Sequence, residues 1–192
     1  MNIEKLSEYV YEDLNGFITR VDLTNDLVIH FQCDDIKEID VIRKFTITCH
    51  DVIESDVQPG FTGVIDFLNE HQLLWKHNAP QGYLYYSSEA ENHYDLLGRL
   101  WETHEKLVDG WRQFSETINT RNAGIFIEFC KDSNGLLAQG PKPLLDKFQE
   151  TALKHLKTNY VPSITPEGGY KALVFDCSFV ICKAVTVNEL TS

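Results

Sequence analysis

Residues Leu27 to Val52 read LVIHFQCDDIKEIDVIRKFTITCHDV. Two runs inside this stretch alternate apolar and polar residues, the period of two that marks a half-buried β-strand. In the first run Ile29, Phe31 and Cys33 share one face, and Val28, His30 and Gln32 share the other. In the second, Phe45, Ile47 and Cys49 stand opposite Lys44, Thr46, Thr48 and His50. The stretch also sets His30 and Cys33 near one end and Cys49 and His50 near the other, which raises a metal site across two strands. The periodicity argues against it, because each cysteine lies with the apolar set and each histidine with the polar set. When the apolar faces of an antiparallel pair are matched, Phe31 falls opposite Ile47 or Phe45. In the first of these registers Cys33 meets Phe45 and Cys49 meets Ile29, which leaves the thiols about 13 Å apart at ~3.3 Å per residue. Bonds of ~2.3 Å to sulfur cannot span that gap. No metal is expected here, and the cysteines read as small buried hydrophobes. Further on, Phe175, Cys177, Phe179 and Ile181 share one face of the last strand region, and Cys182 lies on the other with Val174, Asp176, Ser178 and Val180.

Working outward, Ile3 to Leu14 has Leu6, Val10 and Leu14 on one side of a short helix, stopped by Asn15-Gly16. Phe17 to Leu23 reads as a strand that turns through Thr24-Asn25-Asp26 into Leu27. Pro59-Gly60 marks a turn, Phe61–Trp75 fits either a strand or a helix face, and Tyr83–Ser87 reads as a strand. An antiparallel sheet over about 15–88 follows. After it comes a long amphipathic helix across about 91–119, with Ser88 or Asn92 as N-cap. From 92 to 119 it would span ~42 Å, long enough to cross the molecule or to reach into a homodimer. The final third reads as a β-α-β-β unit. It comprises a strand at Gly124–Cys130, a turn through Asp132–Gly135, an extended Leu136–Ala138, a helix from about 143 to 157, and Lys171–Val187 as one long strand or a hairpin bent near Cys177-Ser178. The fold expected is α+β: one compact domain, or two packed halves, 1–88 and 121–192, joined by the helix.

Composition bounds the function. The chain has 192 residues, 43% hydrophobic and 24% charged, values that suit a globular core and exclude general disorder. No apolar run approaches the ~18 residues of a membrane helix, and the N-terminus lacks a signal-peptide core. Five cysteines, an odd number without a disulfide framework, suit the reducing cytoplasm. The net charge of −12 is uneven: residues 1–60 hold −8, 61–120 hold −5 and 121–192 hold +1. Such a field repels phosphate backbones and steers a basic protein toward it. Nucleic acid is therefore excluded as an expected partner.

Chemistry-bearing motifs are few. HExxH, paired CxxC, GxSxG, GxGxxG and GxxxxGK[ST] are absent, and the acidic clusters at Asp34–Asp40 and Asp51–Asp56 lack the glycine and final glutamate of a calcium loop. No cofactor is expected. The unusual feature is His93 and His104 within the apolar arc of the long helix, with Trp101 and Trp111 flanking His104. An aromatic pocket at Trp101, His104 and Trp111 would bind a small ligand or serve an enzyme's proton transfer; the plainer alternative is a core histidine. Gly140 and Lys142, at a strand-to-helix turn, carry the raw parts of an anion cradle, although Pro141 and Pro143 remove backbone donors. The function expected first is a non-enzymatic cytosolic binding protein with an acidic recognition face, of an inhibitor or immunity type. The alternative is an enzyme or small-ligand binder with a pocket at His104.

Overall fold

A computed structural model describes residues 3–8, 10, 16–23, 25–35, 41–119 and 134–190. It is α+β, with three antiparallel sheets and few helices. The expected strand at Gly124–Cys130 and the first half of the turn after it lie outside the described residues, as do residues 9 and 11–14 of the expected N-terminal helix. The chain divides into two compact units. Unit 1 is made of Met1–His71 and Gly169–Ser192, and unit 2 of Gln72–Gly168.

Unit 1 contains a short helix α1 (Ile3–Ser7) and strands β1 (Phe17–Leu23), β2 (Leu27–Asp34), β3 (Ile42–His50), β4 (Glu54–Asp56), β5 (Gly60–Phe61) and β6 (Asp66–Leu68). It also holds the last three strands of the chain, β10 (Lys171–Phe175), β11 (Ser178–Cys182) and β12 (Ala184–Leu190). One sheet runs β12-β3-β2-β1-β5 and the other β4-β11-β10-β6. Of the two registers open to β2 and β3, the structure takes the one with Phe31 across from Phe45 and Ile29 across from Ile47. The two rings stand 6.3 Å apart and tilted. This inner face packs with Leu173, Phe175, Val180 and Cys182 of the second sheet into one core, so unit 1 is a two-sheet sandwich.

The parity expected for the last strands breaks at a hairpin. Phe175 pairs with Ser178 and Val174 with Phe179 across a two-residue turn at Asp176-Cys177. Cys182 therefore joins Phe175 in the core, and Cys177 is exposed. Asp176 is in the left-handed region (φ 38°), and its carboxylate accepts the Gly63 N–H at 2.8 Å.

Unit 2 contains α2 (Trp75–Asn78), β7 (Gln81–Tyr86), α3 (His93–Val108), β8 (Gly135–Pro141), α4 (Lys142–Ala152) and β9 (Thr158–Pro162). Its sheet runs β8-β7-β9. Strand β9 was not anticipated, because the prolines that follow it read as breakers; Pro162 ends it at the sheet edge. Leu96, Leu100 and Val108 of α3 and Leu144, Leu145 and Phe148 of α4 pack with Leu84 and Leu137 of the sheet. The side chain of Asn92 caps α3 by accepting the Asp95 N–H at 3.0 Å. The helix is shorter than its apolar arc suggests. It ends where Asp109 turns left-handed (φ 52°), leaving 16 residues and a length of ~24 Å. None of the described helices is long and apolar enough to cross a membrane.

Four of the cysteines are described, and all are free. Burial pushes the Cys33 thiol up to about 11. A shared hydrogen bond with Cys182, together with burial, raises Cys49 further. Since the thiolate is the reactive form, a disulfide reagent applied to the native chain at about pH 7.5 should modify the exposed Cys177 readily. Cys33, Cys49 and Cys182 are all buried, so the reagent should reach them only on unfolding, although the hydrogen bond with Cys49 lowers the Cys182 thiol. Fast labelling of Cys33 in the native state would mean that the sandwich core is open.

Candidate functional site

The residues singled out in the sequence do not converge. His104 is fully buried. Its ring stands edge-on to Phe114 at 5.5 Å and beside Phe148 at 6.5 Å. Its Nδ1 is 3.0 Å from a Glu105 carboxylate oxygen, and its Nε2 meets no hydrogen-bond partner among the described residues. Trp101, on the same helix, is 54% exposed. Trp111 lies beyond the end of α3, half-buried against the unit 2 core. None of the three lines either cleft described below. Lys142 grips both oxygens of Asp146 at 2.7 and 2.6 Å and stands over the Tyr160 ring at 5.3 Å. Gly140 does reach a cleft, in unit 2.

The first cleft is an acidic groove at one end of the unit 1 sandwich, about 420 Å³ in volume. Two turns build it. The β1–β2 hairpin closes with Leu23 across from Leu27 and presents Asn25 and Asp26. The segment leaving β3 turns at Asp51 (φ 53°), and the Ile53 N–H then bonds to the Ile181 carbonyl at 3.0 Å. Leu27 pairs with Cys49, so the two turns emerge side by side. Among the described residues the groove is lined by the carboxylates of Asp26, Asp51 and Glu54 and by no Lys or Arg. Leu23, 79% exposed, and Ile53, 41% exposed, add aliphatic surface. His50 sits beside it, with Nδ1 3.3 Å from Asp26 and Nε2 3.1 Å from the Thr186 hydroxyl. A neutral ring satisfies both contacts if Nδ1–H donates to Asp26 and Thr186 donates to Nε2. Nearby, side-chain hydrogen bonds from Arg20 and His30 hold the Asp22 carboxyl below its ordinary range.

The surroundings reinforce the groove. By sequence, unit 1 carries 17 acidic and 7 basic residues, net −10, and unit 2 carries 12 and 10, net −2. Carboxylates flanked by open aliphatic side chains suit a lysine or arginine, whose head is charged and whose stem is apolar. The cluster of Asp51, Glu54 and Asp56 was visible in the sequence. Asp26 was not part of it, because only the β2–β3 register brings that turn alongside. Among the described residues no group of three or more His, Cys, Asp or Glu is placed to hold a metal ion.

The second cleft, in unit 2, has a volume of about 510 Å³. Its floor is the β7–β8 pair, where Gly82 faces Gly140 and Tyr83 faces Gln139. Trp75 and Lys76 of α2 form one wall, and Val108, Arg112 and Glu116 form another. The Gln81 side-chain amide donates to the carbonyls of Trp75 and Ala79, each at 2.8 Å, and so ties α2 to the floor. Gly140 has φ +145°, a conformation other residues rarely adopt. A Cβ at Gly82 would overlap the Tyr160 ring, which lies flush against the strand. No motif announces this cleft, since its lining comes from separated segments.

His104 is fully buried beside Phe114 and Phe148, and its Nε2 has no hydrogen-bond partner among the described residues. Leaving a buried polar group unpaired costs ~1–3 kcal/mol, and an apolar replacement of similar shape is close to neutral. His104→Phe should therefore hold the denaturant unfolding free energy within about 1 kcal/mol of the parent. A loss on the order of 3 kcal/mol or more would show that the imidazole has a polar role. No family model, curated protein or solved structure matches the chain.

Proposed function

We propose that the chain is a non-enzymatic binding protein that captures a basic protein partner through the acidic groove of unit 1, in the manner of an inhibitor or immunity protein. One observation carries this reading. Among the described residues the groove combines three carboxylates, no lining Lys or Arg and two exposed aliphatic side chains, inside a unit of net charge −10. Its field would steer a cationic partner and speed encounter, and the aliphatic rim would grip the stem of an inserted Lys or Arg. A second copy of this chain is the less suitable partner for that surface, because two bodies of net charge −12 repel. A cytoplasmic setting suits the four described thiols, which are all free.

A defined probe tests the reading: a peptide alternating Arg and Leu, titrated into the full chain by calorimetry across a salt series. The triple variant Asp26→Asn, Asp51→Asn, Glu54→Gln removes the groove charge, and Asn tolerates the left-handed turn at position 51. A control triple, Glu89→Gln, Glu91→Gln, Glu167→Gln, makes the same charge change on exposed positions of unit 2. Binding should weaken by about tenfold or more in the groove variant, less than about threefold in the control, and fall with rising salt. Equal losses in both variants would show that bulk charge, and not the groove, attracts the peptide.

A further inference from the structure

We propose that the unit 2 cleft is a separate binding site for a small planar organic carboxylate. The inference is independent of the acidic groove, because every residue that lines the cleft belongs to unit 2. A volume of about 510 Å³ falls within the ~300–1,000 Å³ typical of small-molecule sites. The apolar part of the lining includes Trp75, Tyr83, Val108 and Leu144. The two aromatic side chains are only half-buried, which leaves ring surface on which a flat body can stack.

Charge selects the ligand's sign. Lys76 and Arg112 line the cleft against a single carboxylate, Glu116. That carboxylate already accepts the Gln113 N–H at 3.2 Å, closing the cap of a short turn. Within a chain of net charge −12, the described lining of this cleft thus holds more cations than carboxylates, the reverse of the groove in unit 1. The planar guanidinium of Arg112 matches the two oxygens of a carboxylate, and Lys76 adds a mobile point charge. Removal of charge from water on binding strengthens both contacts.

The cleft is also set in advance. Gln81 spends its side-chain amide on holding the Trp75 wall. The Tyr160 hydroxyl donates to the Gln81 carbonyl at 3.2 Å, and Gly82 leaves room for the ring. The Gly140 backbone keeps the floor bare of side chain where β8 passes under the site. Such a frame loses little conformational freedom when a ligand enters.

The probes are indole-3-acetate, its neutral relative indole-3-acetamide and the cation tryptamine, each titrated into the full chain and followed by amide and indole NMR shifts. The Gly82 and Gly140 amides and the Trp75 indole N–H report on the cleft. Indole-3-acetate should bind saturably and move these signals, with the amide about tenfold weaker and tryptamine weaker still. Lys76→Met and Arg112→Met should each weaken the acetate about tenfold and leave the amide unchanged, with the rest of the spectrum intact as proof of folding. Equal affinity for acetate and amide, tighter binding of tryptamine, or no movement of the cleft signals at concentrations on the order of 10 mM would each overturn the assignment.

Discussion

The pairing of Phe31 with Phe45 across β2 and β3 is the constraint on which unit 1 depends. Side chains in a strand alternate with a period of two, so a slip of one residue would turn Phe31 outward and bring His30 in. In the register adopted, Ile29, Phe31, Phe45, Ile47 and Cys49 all face the second sheet. The strands at either side inherit their facing from this pair: β1 from β2, with Ile18 across from Phe31, and β12 from β3, with Val187 across from Ile47. Cross-strand pairs contribute only ~0.2–1 kcal/mol each. What the register determines is which of the two faces can be buried at all.

The two central strands were legible because their periodicity is local and strict. The choice between their registers was not, since either one matches apolar to apolar. The structure settles it with the aromatic pair, which leaves Cys33 across from Arg43 and Cys49 across from Leu27, ~20 Å apart along the strands. Parity carried through Lys171–Val187 failed because a two-residue turn consumes Asp176 and Cys177 and resets the faces. The long helix failed at its end for the opposite reason. Its apolar arc runs on through Trp111, Phe114 and Ile118, and those residues do enter or flank the unit 2 core, but from a turn and a bridge instead of a helix. The Asp109 turn overrode the periodicity. With the helix near 24 Å, its length no longer argues for a dimer.

Neither cleft could be assembled from spacing alone. Asp26 and Asp51 are 25 positions apart, and Trp75, Arg112 and Gln139 are further dispersed. The pattern that does survive in the sequence is charge. An acidic first two thirds of the sequence becomes an acidic unit 1 sandwich, while unit 2, inserted between the two segments of unit 1 along the chain, is nearly balanced in charge. The groove is formed by turns at the ends of the same strands that supply the sandwich core, so its carboxylates are carried on that scaffold.

Unit 1 is discontinuous: β10, β11 and β12 are separated from β1–β6 by the whole of unit 2. The order in which a ribosome releases the chain then becomes an order of assembly. Strand β3 emerges with one edge paired to β2 and the other waiting for Ala184–Leu190, 136 positions later at the Cys49–Val185 pair. Residues 72–168 can close their own core during that interval. Until the last strands arrive, the nascent sandwich shows a long bare edge and an uncovered apolar face, the two features that recruit chaperones or seed aggregation. The end of the chain is thus the lock of its beginning.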